Sequence, residues 1–159
     1  MNVNTVIEGS VWVLCVVLLG LVVLRNKARE ALLSFLFMQM PSWLLGLVAV
    51  QLGLLRYPAR FLAEAFSTSF TYEFMALPTV SALYNLHYPA RKPVWLRVSY
   101  LAAYTSALTI GELLIKRYTQ LIVYVHWSWA ATAVSVAFTL QLSLWFFDWF
   151  VTGRVRRLV

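Results

Sequence analysis

Polar and apolar positions alternate along this chain in long blocks rather than at a short period. Runs of about twenty apolar residues are separated by short basic or mixed segments, beginning with VWVLCVVLLGLVVL. A helix needs about 20 apolar residues to cross the hydrocarbon core of a bilayer, and its backbone groups must pair internally there. A membrane barrel would instead show alternating segments of about ten residues. The pattern therefore predicts an all-α, polytopic integral membrane protein with five transmembrane helices. Their expected ranges are 4–24, 31–54, 69–87, 95–115 and 124–150, in one domain covering 1–159. The third is the least hydrophobic, and a four-span alternative treats it as re-entrant. Short connections predict antiparallel sequential neighbours. Pro41 and Pro78 fall inside helices 2 and 3 and predict kinks.

Composition agrees with this picture. Hydrophobic residues make up 62% and charged residues 12%, about half the charge of a soluble domain. The net charge of +7 sits in clusters between the apolar runs, with no basic stripe, so nucleic acid is not an expected partner. The clusters orient the bundle. With five crossings, one side collects Arg25, Lys27, Arg29, Arg91, Lys92, Arg97, Arg154, Arg156 and Arg157, and the other Arg56, Arg60, Lys116 and Arg117. The positive-inside rule then places the N-terminus outside and the C-terminus in the cytoplasm. Glu8, Glu64, Glu73 and Glu112 fall on the outer side, Glu30 and Asp148 on the inner. Residues 1–7 carry no Lys or Arg, which argues for a retained helix over a signal peptide. Cys15 is the only cysteine and reads as a packing residue.

Small residues recur every fourth position in helix 4 (Ser99, Ala103, Ala107, Gly111) and helix 5 (Ala131, Ser135, Thr139, Ser143), predicting helix contacts or, less directly, a homodimer face. Trp43, Trp95, Trp127, Trp149, Tyr57 and Tyr88 read as headgroup-level anchors.

Ionisable groups inside a membrane usually face the protein interior. Glu8, Glu73, Glu112 and His126 come from four helices at similar depth near the outer boundary, which predicts one outward-facing polar cavity. Thr105, Thr109, Glu112 and Lys116 share a helix face, as do Glu73, Leu77, Ser81 and Asn85. The candidate ligand-binding residues are therefore Glu73, Glu112, His126, Glu8 and Asn85. Three readings compete for them: a structural ion-pair network around Glu112–Lys116, a small-molecule, ion or proton site, and a metal-dependent membrane enzyme. No ExxH, HExxH, GxSxG, Walker A or GxGxxG motif is present, so no catalytic or metal-binding residue is assigned and no cofactor is identified. His87, in NLHYP, reads as a loop or cap residue.

The strings RNKAREALLSFLFMQMPSWLLGL, RYPARF, TSFTYEF, LYNLHYP and KRYTQLI followed by HWSW resemble a family of small multi-pass membrane proteins from spore-forming bacilli and clostridia, over nearly the whole chain. The resemblance implies a multi-pass bacterial cell-membrane protein, with Glu73, Asn85, Pro89, Glu112, His126 and Trp127 as recurring positions, and implies no substrate. Five crossings and many Trp also look like the tetrapyrrole-binding tryptophan-rich sensory proteins, but the WxPP segment of that family is missing here. The functional expectation is a non-enzymatic membrane protein that holds a small hydrophobic or ionic ligand in its outer cavity. An intramembrane enzyme acting on a lipid or isoprenoid, and an assembly partner in a homo-oligomer or membrane complex, are the alternatives.

Overall fold

The computed structural model describes residues 3–23, 27–59 and 65–153. Arg25, Arg60, Glu64, Arg154, Arg156 and Arg157 lie outside the described residues. The elements are α1 (Val3–Val23), α2 (Ala28–Gln51), β1 (Leu55–Arg56), a π-helical turn (Tyr72–Ala76) continuous with α3 (Leu77–Leu86), α4 (Val94–Tyr118), β2 (Val123–Tyr124) and α5 (Trp129–Thr152). Helices α1, α2, α4 and α5 are long and apolar enough to cross a membrane, as in a membrane protein.

The fifth helical segment takes a different position. From Tyr72 to Leu86 it rises about 22 Å, short of the roughly 30 Å hydrocarbon thickness. It lies inside the bundle, packed on α1, α2 and α5 and touching α4 through tyrosines. Leu77, Pro78, Thr79, Ser81, Ala82, Tyr84 and Asn85 are all buried. The short helix that carries Ser81 and Asn85 is thus wrapped by longer ones, which expose Val13, Val17, Leu36, Met40, Ile110, Leu114, Val134 and Phe138. This arrangement keeps the polar side chains of α3 away from an apolar surround.

Two backbone irregularities shape the α2–α3 contact. The N–H of Leu77 reaches back to the Tyr72 carbonyl, the i→i−5 bond of a π turn. One residue later Pro78 offers no N–H at all. The Glu73 and Phe74 carbonyls turn to α2 instead. Gln39 Nε2 donates to Phe74 O at 3.2 Å, and Ser42 Oγ lies 2.9 Å from Glu73 O. Ser42 Oγ is also 2.8 Å from Met38 O and 3.1 Å from Gln39 O in its own helix, so its single proton is contested by three carbonyls.

The ends of α2 and α5 depart from the sequence reading. Helix 2 stops at Gln51, because Gly53 adopts a left-handed turn (φ 69°) that only glycine takes without strain. Residues 124–128 are not helical. Leu55–Arg56 pairs antiparallel with Val123–Tyr124, and Leu54 O accepts from the N–H groups of Val125 and His126. Ser128 then caps α5 by accepting from Ala131 N–H at 3.2 Å. The small-residue stripes also part company. Thr139 and Ser143 of α5 are buried, whereas Ser99, Ala103 and Ala107 of α4 are exposed. Helix α4 turns Thr105 and Thr109 inward instead. Of the expected anchors, Trp95 and Trp149 are exposed, while Tyr57 is buried and Trp127 packs inside.

Candidate functional site

A cavity of about 60 Å³ lies below the β1–β2 pairing, between α2, the π turn, α4 and α5. Its polar lining is Ser42, Tyr57, Tyr72, Glu73, Glu112, Thr132, Ser135 and Thr139. Among the described residues, no basic side chain lines it.

Glu73 enters from the π turn and is only 2% exposed. Thr68 Oγ1 donates to its Oε2 at 2.6 Å. The carboxylate lies directly against Gly46 of α2, where a β-carbon would occupy the space of Oε1. A glycine at 46 is therefore what lets α2 and the π turn close around this group.

Glu112 enters from α4, one and a half turns before that helix ends. Its Oε1 accepts from Tyr124 OH on β2 and from Thr132 Oγ1 on α5, the latter at 2.8 Å. Trp127 Nε1 donates to the same Thr132 oxygen at 2.8 Å. Lys116, expected to pair with Glu112, places its Nζ over the Tyr124 ring, 3.8 Å from the centroid. A cation over an aromatic face is held by the ring's quadrupole. Burial pushes the Tyr124 phenol up, and its hydrogen bond to Glu112 adds to the shift. Burial, then the charges of Glu73 and Glu112, push Tyr57 up as well.

Tyr57, Tyr72 and Glu112 form a wall shared with a second cavity of about 170 Å³. This one lies between α1 and α4 and is mostly apolar, with Glu8, Ser69 and Thr71 on its rim. Thr71 Oγ1 donates to Glu8 at 3.3 Å and accepts from Trp12 Nε1 at 3.2 Å. The Tyr72 hydroxyl is buried and has no hydrogen-bond partner among the described residues.

The structure thus brings together Glu73 and Glu112 and puts Glu8 in the adjoining cavity. His126 stands apart. It lies in the turn before α5, is exposed, and lines neither cavity. Asn85 belongs to the opposite end of α3. Its Nδ2 donates to Ser34 Oγ and Ser143 Oγ, each at 2.9 Å, and Ser81 and Ser143 hydroxyls meet at 2.7 Å. Sequence reasoning passes over Tyr124 and Thr132 as carboxylate partners and places Thr68, with Ser69 and Thr71, only as a polar neighbour at the outer end of helix 3. Thr132 continues the one-face series Thr132, Ser135, Thr139, Ser143 along α5, a periodicity that could have exposed it. Thr68 and Tyr124 sit in loop and strand, where no periodic signal exists.

Compared with protein-family models, curated proteins and solved structures, the chain matches none of them.

Proposed function

We propose that this protein crosses a cell membrane five times, with the lipid-shielded α3 and its flanking residues making the third crossing inside the bundle, N-terminus out and C-terminus in, and that it binds a small cation in a polar cavity near its outer end. Glu73 and Glu112 are the charged ligands, with Ser42, Thr132, Ser135 and Thr139 supplying neutral oxygens. One observation carries the reading: two carboxylates on different elements line one cavity that has hydroxyls and, among the described residues, no basic side chain. An ionised carboxylate away from water costs several kcal/mol unless a cation meets it. Hard oxygen donors suit hard cations. Size supports the same class. About 60 Å³ holds roughly four waters or one ion with part of its hydration. A drug-sized ligand or tetrapyrrole needs about 300 Å³ or more.

The test uses the protein in neutral detergent. Thermal unfolding is followed in sodium, potassium or N-methylglucamine chloride at equal ionic strength, and across pH for the hydrated proton. A ligand at 100 times its Kd stabilises the folded state by about 2.7 kcal/mol. One small cation, or acid, should raise the midpoint, and Glu73→Gln and Glu112→Gln should each abolish the increment. Identical cation and pH responses in wild type and Glu73→Gln would sink the reading.

A further inference from the structure

The cavity is the outer end of a longer polar series. On α5, Thr132, Ser135, Thr139 and Ser143 follow one another down one face, and Thr132, Thr139 and Ser143 are at most 2% exposed. Thr139 lines the cavity floor. Ser143, four residues and about 6 Å further along the axis, belongs to the node it forms with Ser34, Ser81 and Asn85. On α4, Thr109 and Thr105 stand one and two turns below Glu112. Both hydroxyls are buried with no hydrogen-bond partner among the described residues, although a helical threonine ordinarily bonds a carbonyl one turn back. Tyr84 OH and Asn85 Oδ1 are in the same condition, in side chains at most 4% exposed. Native proteins rarely leave such groups unmet, and an unmet group commonly marks water or an ion.

Glu73 and Asn85 are twelve residues apart on one continuous helical segment, about 18 Å. Two polar sites therefore occupy the two ends of the bundle interior. Between them lies a thin apolar septum. Leu140 is fully buried and packs with Met38, Leu77 and Val136 in the turn that separates Thr139 from Ser143. Thr139 and Ser143 are one turn apart, about 6 Å along the axis, a span that one water with hydrogen bonds of about 2.8 Å on each side would cover.

Resting on the cation-site reading above, we propose that the ion is the proton and that the protein passes it across the membrane, from the Glu73–Glu112 cavity through the septum to the Ser34–Ser81–Asn85–Ser143 node. The packing of the node selects the proton. Its donors and acceptors meet at 2.7–2.9 Å, which leaves no room for a partly hydrated metal ion. A proton needs only a hydrogen-bonded chain. It is taken from outer water by a carboxylate, handed to water in the septum and released past Asn85, and its charge is balanced by a counter-ion moving elsewhere. Leu140 sets the resistance.

The experiment reconstitutes the full chain in liposomes with an entrapped pH dye. A potassium gradient with valinomycin drives proton entry. Wild type should acidify the lumen faster than empty vesicles. Glu73→Gln and Ser143→Ala should each lower that rate at least tenfold, and Leu140→Ser, which admits water to the septum, should raise it. Monodisperse elution checks the fold of each variant. Ser143→Ala lies outside the cavity and should keep the wild-type cation or pH response in thermal unfolding. That response with no flux from wild type or Leu140→Ser overturns proton passage and leaves the binding site standing. Flux that is equal in wild type and Ser143→Ala overturns the route. Loss of the thermal response in wild type itself removes the site on which both rest.

Discussion

Replacing Gly46 by Ala offers the sharpest check on the site geometry. Gly46 lies inside α2, and its missing side chain is the space filled by the Glu73 carboxylate. In an open helical position the change would stabilise by about 1 kcal/mol. Here the new methyl overlaps Oε1, so Glu73 must leave or the helices must part. Overpacking typically costs about 1–3 kcal/mol, and separation from Thr68 removes a hydrogen bond worth about 1 kcal/mol or more. After the helix gain, a net loss of about 2 kcal/mol remains, or roughly 4–8 °C in unfolding midpoint for a chain of this size. Cys15, the only cysteine and 5% exposed, makes a built-in reporter: a thiol-reactive dye becomes fluorescent as it is uncovered on heating. Gly20→Ala, with open space around its β-carbon, serves as control and should show no fall. The cause is isolated by a cycle with Glu73→Ala. In that background Gly46→Ala should cost nothing, because the colliding group is gone. An equal cost with and without the carboxylate, or a midpoint that rises as in the control, would refute the argument.

Gln39→Ala should destabilise by about 1–3 kcal/mol by stranding the Phe74 carbonyl; the loss should shrink in Pro78→Ala, whose restored N–H can take over, as denaturant or thermal midpoints would show. The raised Tyr57 phenol makes the folded state hold its proton more tightly than the unfolded chain does. Its contribution is therefore complete below the ordinary tyrosine value of about 10 and is lost as pH rises beyond it. Tyr57→Phe should flatten that alkaline loss, read as midpoint against pH. For orientation, cysteines placed at Ser67 or Gln120 in a Cys15→Ala background should react with an impermeant reagent on intact cells, and one at Lys92 only after permeabilisation.

The long helices were legible because lipid demands a continuous apolar run, and 4–24 and 95–115 fall within a few residues of α1 and α4. What defeated the reading was pairing between distant segments. Val123 and Tyr124 look like the start of an apolar helix until Leu55 and Arg56 come alongside, and nothing local in HWSW announces that Ser128 begins the helix. His126 was misplaced for this reason. The meeting of Glu73 with Glu112 was anticipated from depth alone. Depth could not separate Glu8, which lines the adjoining cavity beyond Tyr72, because the angular position of each helix is fixed by packing. The exposed stripe of α4 teaches the same lesson, since small residues permit close approach without specifying it. A cluster of Tyr84, Tyr88, Tyr100 and Tyr104, with ring centroids 4.8–5.9 Å apart, joins α3 to α4. It was written in the chain as two i, i+4 pairs whose mutual contact only the fold reveals.

The enclosure of α3 has a consequence for how the protein is made. A segment that is short, carries Glu73, Ser81 and Asn85, and is interrupted by Pro78 gains little from dissolving in lipid by itself. During synthesis it emerges after α1 and α2 but before α4 and α5, the helices that complete its enclosure. Until those arrive it has only α1 and α2 to pack on, and α2 provides Gln39 and Ser42 for the Phe74 and Glu73 carbonyls and Ser34 for the Asn85 amide. The hydrogen bonds that link α2 to α3 in the folded chain are the ones that would hold the segment while the rest is made. A polypeptide released before α5 would present an unshielded polar helix, the kind of lesion that membrane quality control recognises and degrades.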